Sequence, residues 1–226
     1  MAMDKIDVLA KMRKEAIVAV IRAEDKEQGL NVSEAIRKGG IKFLELTMTV
    51  PGALDIIKEL SERYQNEDVV IGAGTVLDAE TARLAILAGA DFIVSPSLSA
   101  ETIQMCNRYR VAVMPGVMTS TEAVRGMELG ADVIKVFPGG AFGPSIVKDL
   151  KGPLPHGNFM PSGGVSLENA AEWIKNGAFA IGTGSNLTNG AKTGDYDSVT
   201  KIASEFVSIV QTAKGNKWEQ VEASLV

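Results

Sequence analysis

Eight short runs rich in β-branched residues recur at intervals of about 20 to 28 residues, and segments of helical periodicity fill the stretches between them. Glycine-led pairs recur just ahead of every second run. Together these observations predict an α/β fold, a (β/α)8 TIM barrel with an N-terminal helix. At 226 residues and 46% hydrophobic, the chain has core enough for one compact unit. No Pro, Gly or Ser tract divides it, so residues 1–226 are read as a single barrel domain. An open doubly wound sheet is the competing arrangement.

The elements follow in order. Residues 4–14 are expected as a leading helix, and a strand at 17–21 runs into Arg22. A helix over 28–37 and the turn Gly39-Gly40 lead to a strand at 41–46, which carries Glu45 and runs into Thr47. A helix over 53–64 precedes a strand at 69–71 that opens into Gly72-Ala73-Gly74-Thr75. A helix over 79–87 and Gly89-Ala90 lead to a strand at 92–94 ending in Ser95-Pro96. After a helix around 101–106, a strand at 111–114 ends in Pro115-Gly116. A helix over 121–129 and Gly130-Ala131 lead to a strand at 133–137 with Lys135 at its centre. The strand at 158–160 ends in Pro161-Ser162-Gly163-Gly164. A helix over 168–174 and Gly177-Ala178 lead to a strand at 179–181, which ends in Gly182-Thr183-Gly184-Ser185, and 197–213 form a closing helix.

Composition narrows the function. A formal net charge of -5 leaves no basic footprint for nucleic acid or an anionic membrane, so a small-molecule partner is expected. The early apolar stretch at 16–21 is too short to span a bilayer or to serve as a full signal segment, so a cytoplasmic protein is expected. Cys106 is the single cysteine and permits no internal disulfide, and its place in a helical segment suits a buried structural thiol. His156 is the single histidine; it precedes the seventh strand, on the rim opposite the strand ends, and is read as structural. That inventory excludes His-dependent triads and His-rich zinc sites, and no motif marks a metal site.

In such a barrel the functional groups lie at the C-terminal ends of the strands, and here those ends are polar or glycine-rich almost throughout. Lys135 stands in the apolar run Val133-Ile134-Lys135-Val136-Phe137. An ammonium costs several kcal/mol to bury without a partner, so a lysine in that setting is a candidate amine nucleophile. Glu45 is spaced alternately with Phe43 and Thr47, and Lys135 with Val133 and Phe137, so both can point into the barrel. The pairing suits a Schiff-base enzyme, which needs an amine to attack a carbonyl and a carboxyl to move protons; a structural ion pair is the plainer reading. The glycine-rich loops after the seventh and eighth strands suit a phosphate held by backbone N–H groups.

With these residues assembled, the chain resembles the KDPG aldolase and 2-keto-4-hydroxyglutarate (KHG) aldolase family. The resemblance runs through Val20-Ile21-Arg22, Glu45-Leu46-Thr47, Gly72-Ala73-Gly74-Thr75, Ser95-Pro96, Ile134-Lys135-Val136-Phe137-Pro138, Pro161-Ser162-Gly163-Gly164-Val165, Gly184-Ser185-Asn186-Leu187 and Gly194-Asp195-Tyr196-Asp197. It implies a class I aldolase that cleaves a 2-keto-3-deoxy-6-phospho sugar acid to pyruvate and glyceraldehyde 3-phosphate, and 2-keto-4-hydroxyglutarate to pyruvate and glyoxylate. Lys135 would form the Schiff base and Glu45 would serve as general acid and base, with no cofactor or metal. Substrate contacts are expected from Arg22, Thr47, Thr49, Thr75, Pro96, Phe137 and Ser162, and phosphate contacts from Gly163, Gly164, Gly184 and Ser185. A homo-oligomer, a trimer, is implied as well. Many family members carry Arg two residues beyond the Thr47 position, where this chain has Thr49, and Arg22 is the nearest candidate to hold the carboxylate in its place. The segment 139–144 resembles the phosphogalactonate-cleaving branch.

Two readings from other classes compete. A phosphosugar isomerase or epimerase would share the barrel and the glycine loops but has no need of Lys135. A non-catalytic phosphosugar-binding module would need neither Lys135 nor Glu45.

Overall fold

The computed structural model describes the backbone of residues 3–223 and the side chains of residues 3–215. Residues 1–2 and 224–226 of the expected single domain lie outside the described residues. Helix α1 (Lys5–Glu15) leads into β1 (Ile17–Ile21), α2 (Lys26–Lys38), β2 (Phe43–Thr47), α3 (Ala53–Arg63) and β3 (Val70–Gly74). Then come α4 (Ala79–Leu87), β4 (Phe92–Val94), α5 (Ala100–Arg108), β5 (Ala112–Met114), β6 (Gly116–Val117), α6 (Ser120–Glu128) and β7 (Ile134–Val136). The chain closes with α7 (Ser145–Lys151), β8 (Phe159–Pro161), α8 (Ala170–Lys175), β9 (Ile181–Thr183), α9 (Ser185–Thr188) and α10 (Tyr196–Ala223).

Local chemistry sets these boundaries. Asp4, Asp25, Asp78, Ser99 and Thr119 cap α1, α2, α4, α5 and α6, each accepting a first-turn N–H, and Thr119 with Glu122 completes a capping box. Each cap is worth about 1 kcal/mol, enough to fix where a short helix begins. Gly40, Gly89, Gly130 and Gly177 all take positive φ, between 85° and 104°, so the repeating turn expected ahead of alternate strands is present.

The strands form two parallel sheets, one ordered β5-β4-β3-β2-β1-β9 and one ordered β6-β7-β8. The chain passes from the first to the second at Pro115, which has no N–H to give a ladder; its carbonyl accepts from Lys135 N at 2.9 Å. On the other flank a parallel bridge joins Ser162 to Gly182, and Phe179 N donates to Phe159 O at 2.8 Å.

Several expected boundaries move. The expected strand at 111–114 continues past Pro115 as β6, and β3 runs on to Gly74 because Gly72 and Gly74 admit close neighbours rather than ending the strand. The last strand shifts to Ile181–Thr183, where it pairs with Ile17 to Ala19 of β1. Helices α7 and α9 were not expected: α9 is a single turn, and α7 follows a glycine- and proline-rich segment at 139–144.

Alternation along the strands divides the core. Val18, Phe43, Val70, Phe92, Met114 and Met160 form an inner cluster that also takes in Val8 and Met12 of α1, whereas Leu44, Leu46, Ile71, Ile93 and Val113 face the helices. Helix α1 lies across the N-terminal strand ends. Lys5 pairs with Asp132 at 2.9 Å ahead of β7, Lys11 pairs with Asp68 ahead of β3, and Met3 N donates to Asp91 at 2.9 Å ahead of β4. With that end covered, the inner face opens at the C-terminal strand ends. Among the described residues no helix is long and apolar enough to cross a membrane. The Cys106 thiol is buried and pushed up to about 12 by that burial, which suits an inert packing role. His156 is exposed in the loop before β8, away from the opening.

Candidate active site

The inner-facing positions of β2 and β7 bring Glu45 and Lys135 together from different sheets. Lys135 Nζ stands 3.9 Å from Glu45 Oε1, with the residues 5% and 1% exposed. The separation is too long for a hydrogen bond, and no group among the described residues hydrogen-bonds either Glu45 oxygen. Burial pushes the Glu45 carboxyl above the ordinary carboxylate range; the Lys135 and Arg22 charges pull it down without reversing the shift. A carboxylate held this way costs the fold several kcal/mol, more than an ion pair without hydrogen bonds returns. Such a group is a candidate for proton transfer rather than a stabilising contact.

Glu45 has room only because β3 offers no side chain there. A Cβ on Gly74 would lie 2.0 Å from Glu45 Oε1. The next residue, Thr75, sits at φ 57°, a left-handed conformation that costs a β-branched residue about 1–2 kcal/mol. Thr75 lines the cavity. Strain of this kind collects where a side chain must be aimed. Phe137 floors the amine, its ring centroid 5.1 Å from Lys135 Nζ.

These groups line a cavity of about 390 Å³, within the range of small-molecule sites. Arg22, Glu45, Thr75, Pro96, Lys135 and Phe137 form one part of its wall. Ser162, Gly163, Gly164, Gly184 and Ser185 form another. Gly163 and Gly164 take φ of 80° and 76°, and a Cβ on Gly164 would lie 2.5 Å from Gly140 Cα, so this turn needs glycine for its conformation and for its packing. Asn169 Nδ2 donates to Gly164 O at 2.8 Å and Asn186 Nδ2 to Val165 O at 2.7 Å, fixing the loop from two sides. The Arg22 guanidinium beside the Lys135 amine makes the cavity suited to an anion.

Thr47 and Thr49, expected at the substrate, are not among the residues lining this cavity. Their hydroxyls are engaged with each other and with Arg22 instead. Conversely, Val20, Val165, Gly182 and Asn186 line the cavity, although the sequence marks them only as members of motifs and not as substrate contacts. Val20 was legible as the inner-face neighbour of Arg22, two residues away on a strand, and Asn186 as the next residue of the glycine loop.

Comparison with known proteins adds an independent line. The family model for KDPG and KHG aldolase matches residues 8–202. The chain belongs to that family. A 2-dehydro-3-deoxy-phosphogluconate aldolase of Pseudoalteromonas atlantica is 32% identical over 195 residues, covering 85% of this chain and 90% of that protein. A 2-dehydro-3-deoxy-6-phosphogalactonate aldolase of Escherichia coli is also 32% identical, covering 87% and 95%. The solved KDPG aldolase of Legionella pneumophila, with pyruvate captured as a covalent carbinolamine intermediate, superposes with a TM-score of 0.80 at 28% identity, covering 87% of this chain and 96% of that one. For a KDPG and KHG aldolase family member, a buried lysine beside a carboxyl without a hydrogen-bond partner is an arrangement able to form an imine and move a proton next to it.

Proposed function

We propose that this chain is a class I aldolase acting on a 2-keto-3-deoxy-6-phospho sugar acid, with Lys135 as the Schiff-base lysine and Glu45 as the general acid and base. The observation that carries this reading is the pair itself: Lys135 Nζ 3.9 Å from Glu45 Oε1 at the wall of a cavity able to hold a small anion. The free amine of Lys135 adds to the C2 carbonyl, a proton taken up from solvent lets the hydroxyl leave as water, and an iminium results; the later hydrolysis returns that proton. Glu45, through a water, takes the C4 hydroxyl proton, the C3–C4 bond breaks, and its electron pair moves into the iminium to give an enamine and the aldehyde. The same carboxyl returns the proton to C3, and hydrolysis frees pyruvate and Lys135. The raised proton affinity of Glu45 suits a group that must both take and return a proton.

On this reading Arg22 meets the substrate carboxylate, since it is the cation of the wall other than the amine. Gly163, Gly164, Gly184 and Ser185 meet the phosphate. Thr75, Pro96, Phe137 and Ser162 line the path between. The two sheets act as one closed (β/α)8 barrel in a single domain, β5 and β6 being one strand bent at Pro115; the Ser162–Gly182 bridge supports the closure. No cofactor or metal is used. The protein is assigned to the cytoplasm and to a homo-oligomer, a trimer as in the family resemblance.

The test is product analysis. Incubation with 2-keto-3-deoxy-6-phosphogluconate, and in parallel with the phosphogalactonate epimer, should give pyruvate and glyceraldehyde 3-phosphate in equal amounts. An isomerised six-carbon product, or tight binding with no cleavage of either epimer, overturns the reading.

A further inference from the structure

Arg22, in the cavity wall, and Thr49, bonded to it, are both exposed. A long cationic side chain there keeps most of its rotamer freedom unless something holds it. Arg22 Nη1 lies 3.2 Å from Thr49 Oγ1, Thr49 Oγ1 lies 2.9 Å from Thr47 Oγ1, and Thr47 Oγ1 lies 3.1 Å from Ile21 O. Counting protons fixes the direction of each bond. A carbonyl only accepts, so the single proton of Thr47 goes to Ile21 O. Thr47 therefore accepts from Thr49, and Thr49, with its own proton committed, accepts from the guanidinium. The relay leaves the Arg22 side chain, crosses from β1 to β2, and returns to the carbonyl of the residue just before Arg22. Its buried member, Thr47, is 1% exposed, so the far end is anchored in the fold.

Neither hydroxyl keeps a proton to offer a ligand, which agrees with the absence of both threonines from the cavity wall. We propose that Thr49, seated on Thr47, is a positioning residue that holds the Arg22 guanidinium ready for the substrate carboxylate; this rests on the assignment of Arg22 to that carboxylate. Threonine at this position then supports an arginine supplied from the neighbouring strand. Because the tether uses one of the five N–H donors, the others stay available to the anion.

The test uses the intact protein and pyruvate, which has the carboxylate and no phosphate, followed by exchange of its methyl protons. Thr49→Val keeps the β-branched shape and removes the hydroxyl; Thr49→Ser keeps the hydroxyl. Thr49→Val should raise KM for pyruvate roughly tenfold with kcat little changed, the pattern for a lost hydrogen bond to a group that binds ground and transition states alike. Thr49→Ser should restore KM, and in an Arg22→Met background Thr49→Val should add nothing further. No KM change in Thr49→Val, the same increase in both backgrounds, or no rescue by Ser overturns the positioning role while leaving Arg22 in place. A pyruvate KM unaffected by Arg22→Met overturns the Arg22 assignment and the positioning role together. Loss of the aldolase reading has a different signature, the absence of any pyruvate exchange in the native protein, and that outcome overturns both.

Discussion

Gly74 faces Glu45 so closely that the smallest side chain at Gly74 would occupy the carboxylate's own space, its Cβ 2.0 Å from Oε1 and 2.6 Å from Cγ. Since β2 and β3 are paired through Glu45↔Gly72 and Thr47↔Gly74, neither strand can withdraw without breaking the ladder. Gly74→Ala should therefore displace the Glu45 side chain. We expect turnover to fall about 10²-fold or more, as for the loss of a general acid and base, and stability to fall by about 1–3 kcal/mol from overpacking. Gly215→Ala, on helix α10 and outside the cavity wall, is the control, because its Cβ would meet nothing within 4 Å. Steady-state kinetics and urea unfolding of the two variants check this; near-native turnover in Gly74→Ala would show that Glu45 can act from another position.

Glu45→Gln keeps the shape and removes the ionisable group. Turnover should drop by about 10² to 10⁴-fold while imine formation at Lys135 survives. Retention of normal turnover and of normal methyl-proton exchange in pyruvate would remove Glu45 from the mechanism.

The same substitution has a stability consequence whose sign follows from burial. The folded protein holds the Glu45 proton more tightly than the unfolded chain, whose carboxyl titrates near the ordinary glutamate value of 4.5. The favourable contribution is therefore complete below that value and is lost as pH rises through the higher folded pKa. Relative to Glu45→Gln, the native protein should become progressively less stable as pH rises above about 4.5. Paired urea titrations from pH 4 to 8 measure the difference, and a flat or rising difference contradicts the burial argument.

At the other wall, Gly184→Asp would place a charge beside the loop assigned to phosphate without a steric clash in the backbone. Cleavage of phosphorylated substrates should suffer much more than pyruvate exchange. Gly163→Asp should do the same at some cost in stability, because Gly163 sits at φ 80°. Equal losses on both reactions would place the phosphate elsewhere.

Much of this was legible in the chain. Lys135 in its apolar run, Glu45 at alternate spacing and the two glycine loops are periodic or compositional signals, and all of them meet at one cavity. Thr47 and Thr49 are harder to place from sequence, because a hydroxyl near a strand end looks the same whether it faces a ligand or a neighbouring side chain; the structure adds the bonds among Arg22, Thr49, Thr47 and Ile21. Gly74 read as loop because glycine disfavours strands in general, whereas here its missing side chain is what β2 requires. Helix α9, four residues long, carries too little sequence for a period to emerge, and α7 directly follows the segment 139–144, whose three glycines and proline read as loop.

The most direct test of the account is to trap the imine. Incubation with pyruvate and borohydride, followed by intact mass and peptide mapping, should add one pyruvate-derived adduct per chain, on Lys135, and Lys135→Arg should take up none. An adduct on another lysine, or no adduct in the native protein, would contradict the assignment of Lys135 as the Schiff-base residue.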